Sequence, residues 1–190
     1  MKIAVDINGV LIDNMENFVE IYNKLHNTQY KKKDITNWEF YRDWGFSDKE
    51  FFELFYKTYD NMNSIKFIDS NAPKIMKRLN KIHDVYLLSA LDSLYESLLI
   101  EKLSNHNIKK DIQYKEVIIV PDRPWDLKAQ HEFDVYIDDN PNLIEPIKKL
   151  KNSYLLLYDQ PWNRKEVSEV NIIRVYNWKK IFKIIDKLKV

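Results

Sequence analysis

Six short apolar runs, several rich in β-branched residues, alternate with segments whose apolar residues recur at helical spacing. This alternation narrows the fold more than any other property of the chain. The runs are Ile3-Ala4-Val5, Val85-Tyr86-Leu87-Leu88, Val117–Val120, Val135-Tyr136-Ile137, residues 154–157 and Ile172-Ile173. Continuously apolar runs of this length read as parallel strands buried on both faces, not as strands with one wet face. Between them stand helical stripes: Phe18, Ile21, Tyr22 and Leu25; Ile75, Leu79 and Ile82; Leu94, Leu98 and Leu99; Leu143, Ile144, Ile147 and Leu150; Ile181, Ile184, Ile185 and Leu188. Strand alternating with helix predicts a doubly wound α/β domain around a parallel sheet.

One interval breaks the pattern. From Asn14 to Ser70 no strand is expected, and the helical stretches are crowded with rings, among them Trp38, Phe40, Tyr41, Trp44, Phe51, Phe52, Phe55 and Tyr59. With 190 residues in all, the chain fits one core domain over 1–13 and 71–190 with a helical subdomain over 14–70. Most of the rings are expected to form that subdomain's own core. One or two of them, such as Trp38 or Phe40, would face a planar ligand. Asp13, just before the first stripe, reads as an N-cap, and Lys31-Lys32-Lys33 as a solvated loop.

Thirty Lys and Arg against 29 Asp and Glu leave a net charge of +1, so no global field recruits a nucleic acid polymer or an acidic membrane. Absence of cysteine excludes disulfides, thiolate metal sites and cysteine nucleophiles. No run approaches the length of a membrane helix. An acid at position 6 interrupts any signal-peptide core, so a cytoplasmic protein is expected. The four histidines show no metal-ligand spacing. Nothing in the sequence demands an oligomer.

Polar residues stand where the apolar runs end. Asp6 follows the first run, Ser89 the second, and Asp138-Asp139 the fourth, with Lys128 in the connection leading to that run. In an open parallel sheet ligands bind at the carboxyl ends of the strands, which would gather these residues at one edge. Converging carboxylates without cysteine or clustered histidine form a hard oxygen site suited to Mg²⁺. A hydroxyl and an ammonium beside it can hold a phosphate. A carboxylate touching both could attack phosphorus, giving an aspartyl-phosphate, while metal, Lys128 and Ser89 neutralise the developing charge. Gly9 suits a tight turn where backbone approaches the ligand. Arg123, on the loop before Lys128, could reach a phosphate.

These residues carry a resemblance. Asp6-Ile7-Asn8-Gly9-Val10-Leu11 resembles the first motif of the haloacid dehalogenase (HAD) superfamily, and Ser89, Lys128 and Asp138-Asp139 match its later motifs in order. Ile137-Asp138-Asp139-Asn140-Pro141 and Asp159-Gln160-Pro161-Trp162-Asn163 resemble the cytosolic 5′(3′)-deoxyribonucleotidase branch and its bacterial and phage relatives. The resemblance implies a Mg²⁺-dependent hydrolase of a small phosphomonoester, a nucleotide, with the helical interval as a cap. Asp6 would be nucleophile and metal ligand, joined at the metal by the Asn8 carbonyl and Asp138, with Asp139 ligating through water or orienting its neighbour. Ser89 and Lys128 would bind phosphate.

One position departs from the family. Its phosphatases carry an aspartate where this chain has Asn8; that acid protonates the leaving oxygen and then activates water. An amide does neither, although it still offers a carbonyl and an N–H. Three readings stay open at this point: a phosphatase attenuated by an asparagine, natural or introduced; a catalytically silent nucleotide- or phosphate-binding module; and dehalogenation, which needs no such acid. The acid pair and the tail motif favour phosphate over halide.

Overall fold

The computed structural model describes residues 1–188; Lys189 and Val190, which fall in the expected core, lie outside the described residues. Six strands form one wholly parallel sheet: β1 (Lys2–Val5), β4 (Asp84–Ala90), β5 (Val117–Val120), β6 (Val135–Asp138), β7 (Tyr154–Tyr158) and β8 (Ile172–Val175), in the order β5-β4-β1-β6-β7-β8. Successive side chains alternate between two cores. Ile3, Val5, Val85, Leu87, Val135, Ile137 and Leu156 enter one; Ala4, Leu88, Tyr136, Leu155 and Leu157 enter the other. The first face is covered by α4 (Ala72–Leu79), α5 (Glu96–Asn105) and α7 (Trp178–Ile185), the second by α6 (Ile144–Lys148). Strands covered on both faces explain why their apolar runs show no polar alternation.

Between β1 and β4 lie α1 (Asn14–His26), α2 (Phe40–Asp43) and α3 (Asp48–Lys57), packed around Phe18, Phe40, Tyr41 and Phe51. A short antiparallel ribbon, β2 (Ile12–Asp13) with β3 (Lys66–Phe67), brackets this excursion, so a strand does occur within the interval where none is expected. Three local expectations are corrected. Asp13 occupies the N-cap position of α1 but makes no capping bond; its carboxylate pairs with Lys32. Lys32 is therefore drawn down, over the Trp162 ring, instead of standing in solvent. Leu94 and Leu98 are exposed, and α5 is buried through Leu99 and Leu103. Among the described residues no helix is long and apolar enough to cross a membrane.

The chain leaves β1 toward β4 and β5 on one side, then returns through β6 on the other. The crevice at this reversal, beyond the carboxyl ends of β1, β4 and β6, is where such sheets bind ligands.

Candidate active site

Asp6 emerges from β1 into a tight turn in which Leu11 and Ile12 N–H both donate to the Ile7 carbonyl. Three donors converge on its Oδ1: Ile7 N–H at 2.7 Å, Lys128 Nζ at 2.9 Å and Ser89 Oγ at 3.0 Å. The carboxylate is thus fixed in orientation, with Oδ2 left for other work. Ser89 comes from β4 and Lys128 from a helical turn over Leu127–Gln130. Lys128 also reaches Asp138 Oδ2 at 2.7 Å. Asp6, Ser89, Lys128, Asp138 and Asp139 are all buried, none more than 6% exposed.

Burying this many charges sets their protonation. Burial pulls the Lys128 pKa down, but Asp138 and Asp6 outweigh it and hold the ammonium charged. Burial pushes the Asp138 carboxyl up to about 6, against the pull of Lys128 and with the help of Asp6. Asp139 is raised well above the usual carboxylate range by burial and by both neighbouring acids. Three carboxylates against one ammonium is an unbalanced cluster that a divalent cation would neutralise. Ligand oxygens of Asp6, Asp138 and Asp139 lie within 4.8 Å of one another, and Asp139 Oδ1 is buried without a partner. An all-oxygen donor set with an orphaned oxygen fits a hard cation.

Gly9 packs against this cluster with φ +78°, and a Cβ there would stand 2.2 Å from Asp139 Oδ2. The tail after β7 holds both groups in place. Gln160 Nε2 donates to the Gly9 carbonyl at 2.6 Å, Trp162 Nε1 to Asp139 Oδ2 at 3.0 Å, and Asn163 Nδ2 to the Asp139 carbonyl at 2.8 Å. Sequence reasoning gave these residues no physical role. The available signal was their position, since they follow a strand that neighbours β6.

The acids open into a cavity of about 760 Å³ counting its mouth, shared by Asp6, Asn8, Gly9, Lys128 and Asp139 with the rings of Trp38, Phe40, Phe52, Phe55 and Trp125. Asn14 and Asp122, which sequence reasoning did not assign to the site, also line it. Asn14 Nδ2 and Trp38 Nε1 are buried there without partners. Asn8 Oδ1 accepts from Tyr59 OH at 3.1 Å, and full burial raises the Tyr59 pKa so that the phenol stays neutral. Arg123 lies apart from these walls. Its Nη2 binds Asp48 Oδ2 at 2.7 Å and Tyr41 OH at 2.9 Å, and its guanidinium stacks 3.9 Å from the Trp125 ring centroid. Acids of the helical excursion already engage the charge expected to meet a phosphate.

Comparison with known proteins bears on the family and the fold. The family model described as 5′ nucleotidase, deoxy (pyrimidine), cytosolic type C protein matches residues 1–190. The chain is 25% identical over 190 residues to a nucleotidase of Clostridium acetobutylicum, covering 99% of this chain and 95% of that protein. It is 26% identical over 179 residues to a 5′(3′)-deoxyribonucleotidase of Bacillus subtilis, covering 94% and 95%. The HAD-hydrolase YfnB of Bacillus subtilis, in a crystal form bound to magnesium, matches with a TM-score of 0.61 at 10% identity over 97% of this chain and 98% of that one. At that identity the likeness is one of fold.

Proposed function

The chain belongs to the cytosolic type C deoxynucleotidase family, within the HAD hydrolases, and on that premise we propose that it is a Mg²⁺-dependent phosphomonoesterase that acts on nucleotides through an aspartyl-phosphate on Asp6. The observation that carries the reading is the convergence on Asp6. A carboxylate aimed by three donors sits beside two further acids and opens into an aromatic cavity.

Asp6, Asp138, Asp139 and the Asn8 carbonyl would hold the cation, which when bound neutralises charge on the transferring phosphoryl oxygens. Lys128 and Ser89 steady Asp6 through Oδ1, and Oδ2 attacks phosphorus opposite the leaving oxygen. As phosphate enters, the same ammonium and hydroxyl serve its oxygens. Residues 14–70 act as a cap over the core of 1–13 and 71–190. Trp38, Phe40 and Phe52 supply π-faces for a base, and the unpartnered N–H groups of Asn14 and Trp38 supply donors for its acceptors.

Asn8 attenuates the reaction. General acid–base catalysis contributes ~10²–10⁴-fold, and an amide at position 8 cannot supply it. Asn8→Asp protein should therefore release phosphate from 5′- and 3′-deoxynucleotides with Mg²⁺ faster than this chain, by as much as that factor when no other group carries the proton. Release no greater than that of an Asp6→Ala control, in both forms, would remove the enzyme reading. Asn8 also favours a second reading, a silent module that binds nucleotide with Mg²⁺ but does not turn it over. Calorimetric binding without phosphate release in either form would establish it.

A further inference from the structure

The amide at position 8 leaves the reaction without its usual proton carrier, yet an unassigned carboxylic acid lines the same cavity. Asp122 follows β5 by two residues and so stands at the carboxyl edge of the sheet, as Asp6, Ser89 and Asp138 do. The geometry points to Asp122 as the acid–base group of this chain: it protonates the leaving oxygen and then takes a proton from the attacking water. This rests on the phosphomonoesterase reading above.

Tyr56 on α3 sets which oxygen does the work. Its hydroxyl accepts the Asp92 N–H at 2.7 Å, so its own proton is directed to Asp122 Oδ2, 2.6 Å away. With Oδ2 occupied as an acceptor, a proton taken up by Asp122 resides on Oδ1. Five charged or titratable groups surround the acid: Tyr56 from α3, Tyr59 from the turn after it, Asp92 from the loop after β4, and Arg123 and Lys128 from the same connection as Asp122. Burial is the largest influence and raises its pKa, Asp92 adds to this, and the Tyr56 bond, Lys128 and Arg123 oppose it. The acid thus holds its proton to higher pH than an exposed aspartate does.

The steps balance. Asp6 Oδ2 forms a bond to phosphorus as the bond from phosphorus to the ester oxygen breaks. That oxygen takes the Asp122 proton, directly or through one water, and leaves as an alcohol. Water then attacks phosphorus and gives its proton to Asp122, while the bond between phosphorus and Asp6 breaks. Phosphate is released, and both acids return to their starting states.

The test uses the full chain with Mg²⁺, a deoxynucleoside monophosphate and p-nitrophenyl phosphate, whose phenolate leaves without a proton. Asp122→Asn should lower phosphate release from the nucleotide by ~10²-fold or more. The first turnover of p-nitrophenyl phosphate should stay near the parent rate, and the high-pH limb of the nucleotide rate should vanish. Adding Asn8→Asp to Asp122→Asn should restore turnover. Tyr56→Phe, which removes a bond that stabilises the carboxylate, should move that limb to higher pH; this readout stands even if Asp122→Asn folds poorly. The proposal is overturned if Asp122→Asn matches the parent, or if it slows both substrates equally and Asn8→Asp does not rescue it. It is also overturned, with the phosphatase reading intact, if only Asn8→Asp proteins turn over. If no form releases phosphate, the phosphatase reading falls with it.

Discussion

A Cβ built on Gly9 would stand 2.2 Å from Oδ2 of Asp139, so the carboxylate lies directly against the Gly9 backbone. Asp139 is in turn held by Trp162 and Asn163 and has little room to withdraw. Gly9→Ala adds this overlap to a left-handed φ that costs an ordinary residue about 1–2 kcal/mol. Overpacking contributes about 1–3 kcal/mol more. Urea unfolding should show a loss in that combined range, and calorimetry a weaker Mg²⁺ affinity. An unchanged midpoint would mean that Asp139 moves freely.

Among the described residues Lys128 is the one cation beside three buried acids, bonded to two of them. Lys128→Met leaves those acids uncompensated, and breaking a buried pair in this way costs about 3–5 kcal/mol. Urea unfolding without divalent cation should show it. A loss within about 0.5 kcal/mol, the range of surface changes, would contradict the assigned balance.

Stability should depend on pH through Asp138. Burial lifts its carboxyl from the ordinary 3.8 to about 6. An acid whose folded pKa exceeds its unfolded value binds its proton more tightly when folded. Its contribution is therefore complete below the unfolded value and lost as pH rises through the folded one. Asp139, raised by burial and the neighbouring acids, extends the loss upward. Without divalent cation, the parent should lose stability across this window relative to Asp138→Asn. Saturating Mg²⁺ should restore it at neutral pH, by about 2.7 kcal/mol at a hundredfold excess over Kd. Parallel pH curves for the two proteins would refute this.

Trp38 offers the cavity both a ring and an unpartnered N–H. Base stacking on an aromatic side chain is worth about 1–3 kcal/mol. Trp38→Ala should weaken nucleotide binding by ~5–150-fold on that basis, while binding of inorganic phosphate stays the same. Equal losses for both ligands in calorimetry would place the effect in packing of the helices instead.

The sheet was legible because strands covered on both faces need no polar alternation, and each run stops where the backbone reaches the ligand edge. The meeting of Asp6, Ser89 and Asp138-Asp139 at one edge was legible for the same reason, and Lys128 only from its place in the connection before β6. Other features depend on pairings that sequence does not display. The ribbon at Lys66–Phe67 is two residues long and carries no period. Leu94 and Leu98 have helical spacing but lie on a face left exposed among the described residues. The tail could be noticed but not explained, because Gln160 and Trp162 act on Gly9 and Asp139, remote in sequence. Arg123 looked free until Asp48 and Tyr41 were brought to it.

The central place of β1 also bears on how this protein is made. Its partners are residues 84–87 and 135–137, so the strand carrying Asp6 stays unpaired in the sheet until β4 has been synthesised and lacks its second neighbour until β6 follows. Long-range parallel pairings of this kind are slow to form and leave apolar edges open meanwhile. The acids proposed to hold the cation come from both ends of that interval. On that proposal cation affinity should appear only at the end of folding, which would make it a readout of complete assembly: a chain stopped before β6 would bury neither Asp6 nor its counter-charge, and Mg²⁺ should not rescue it.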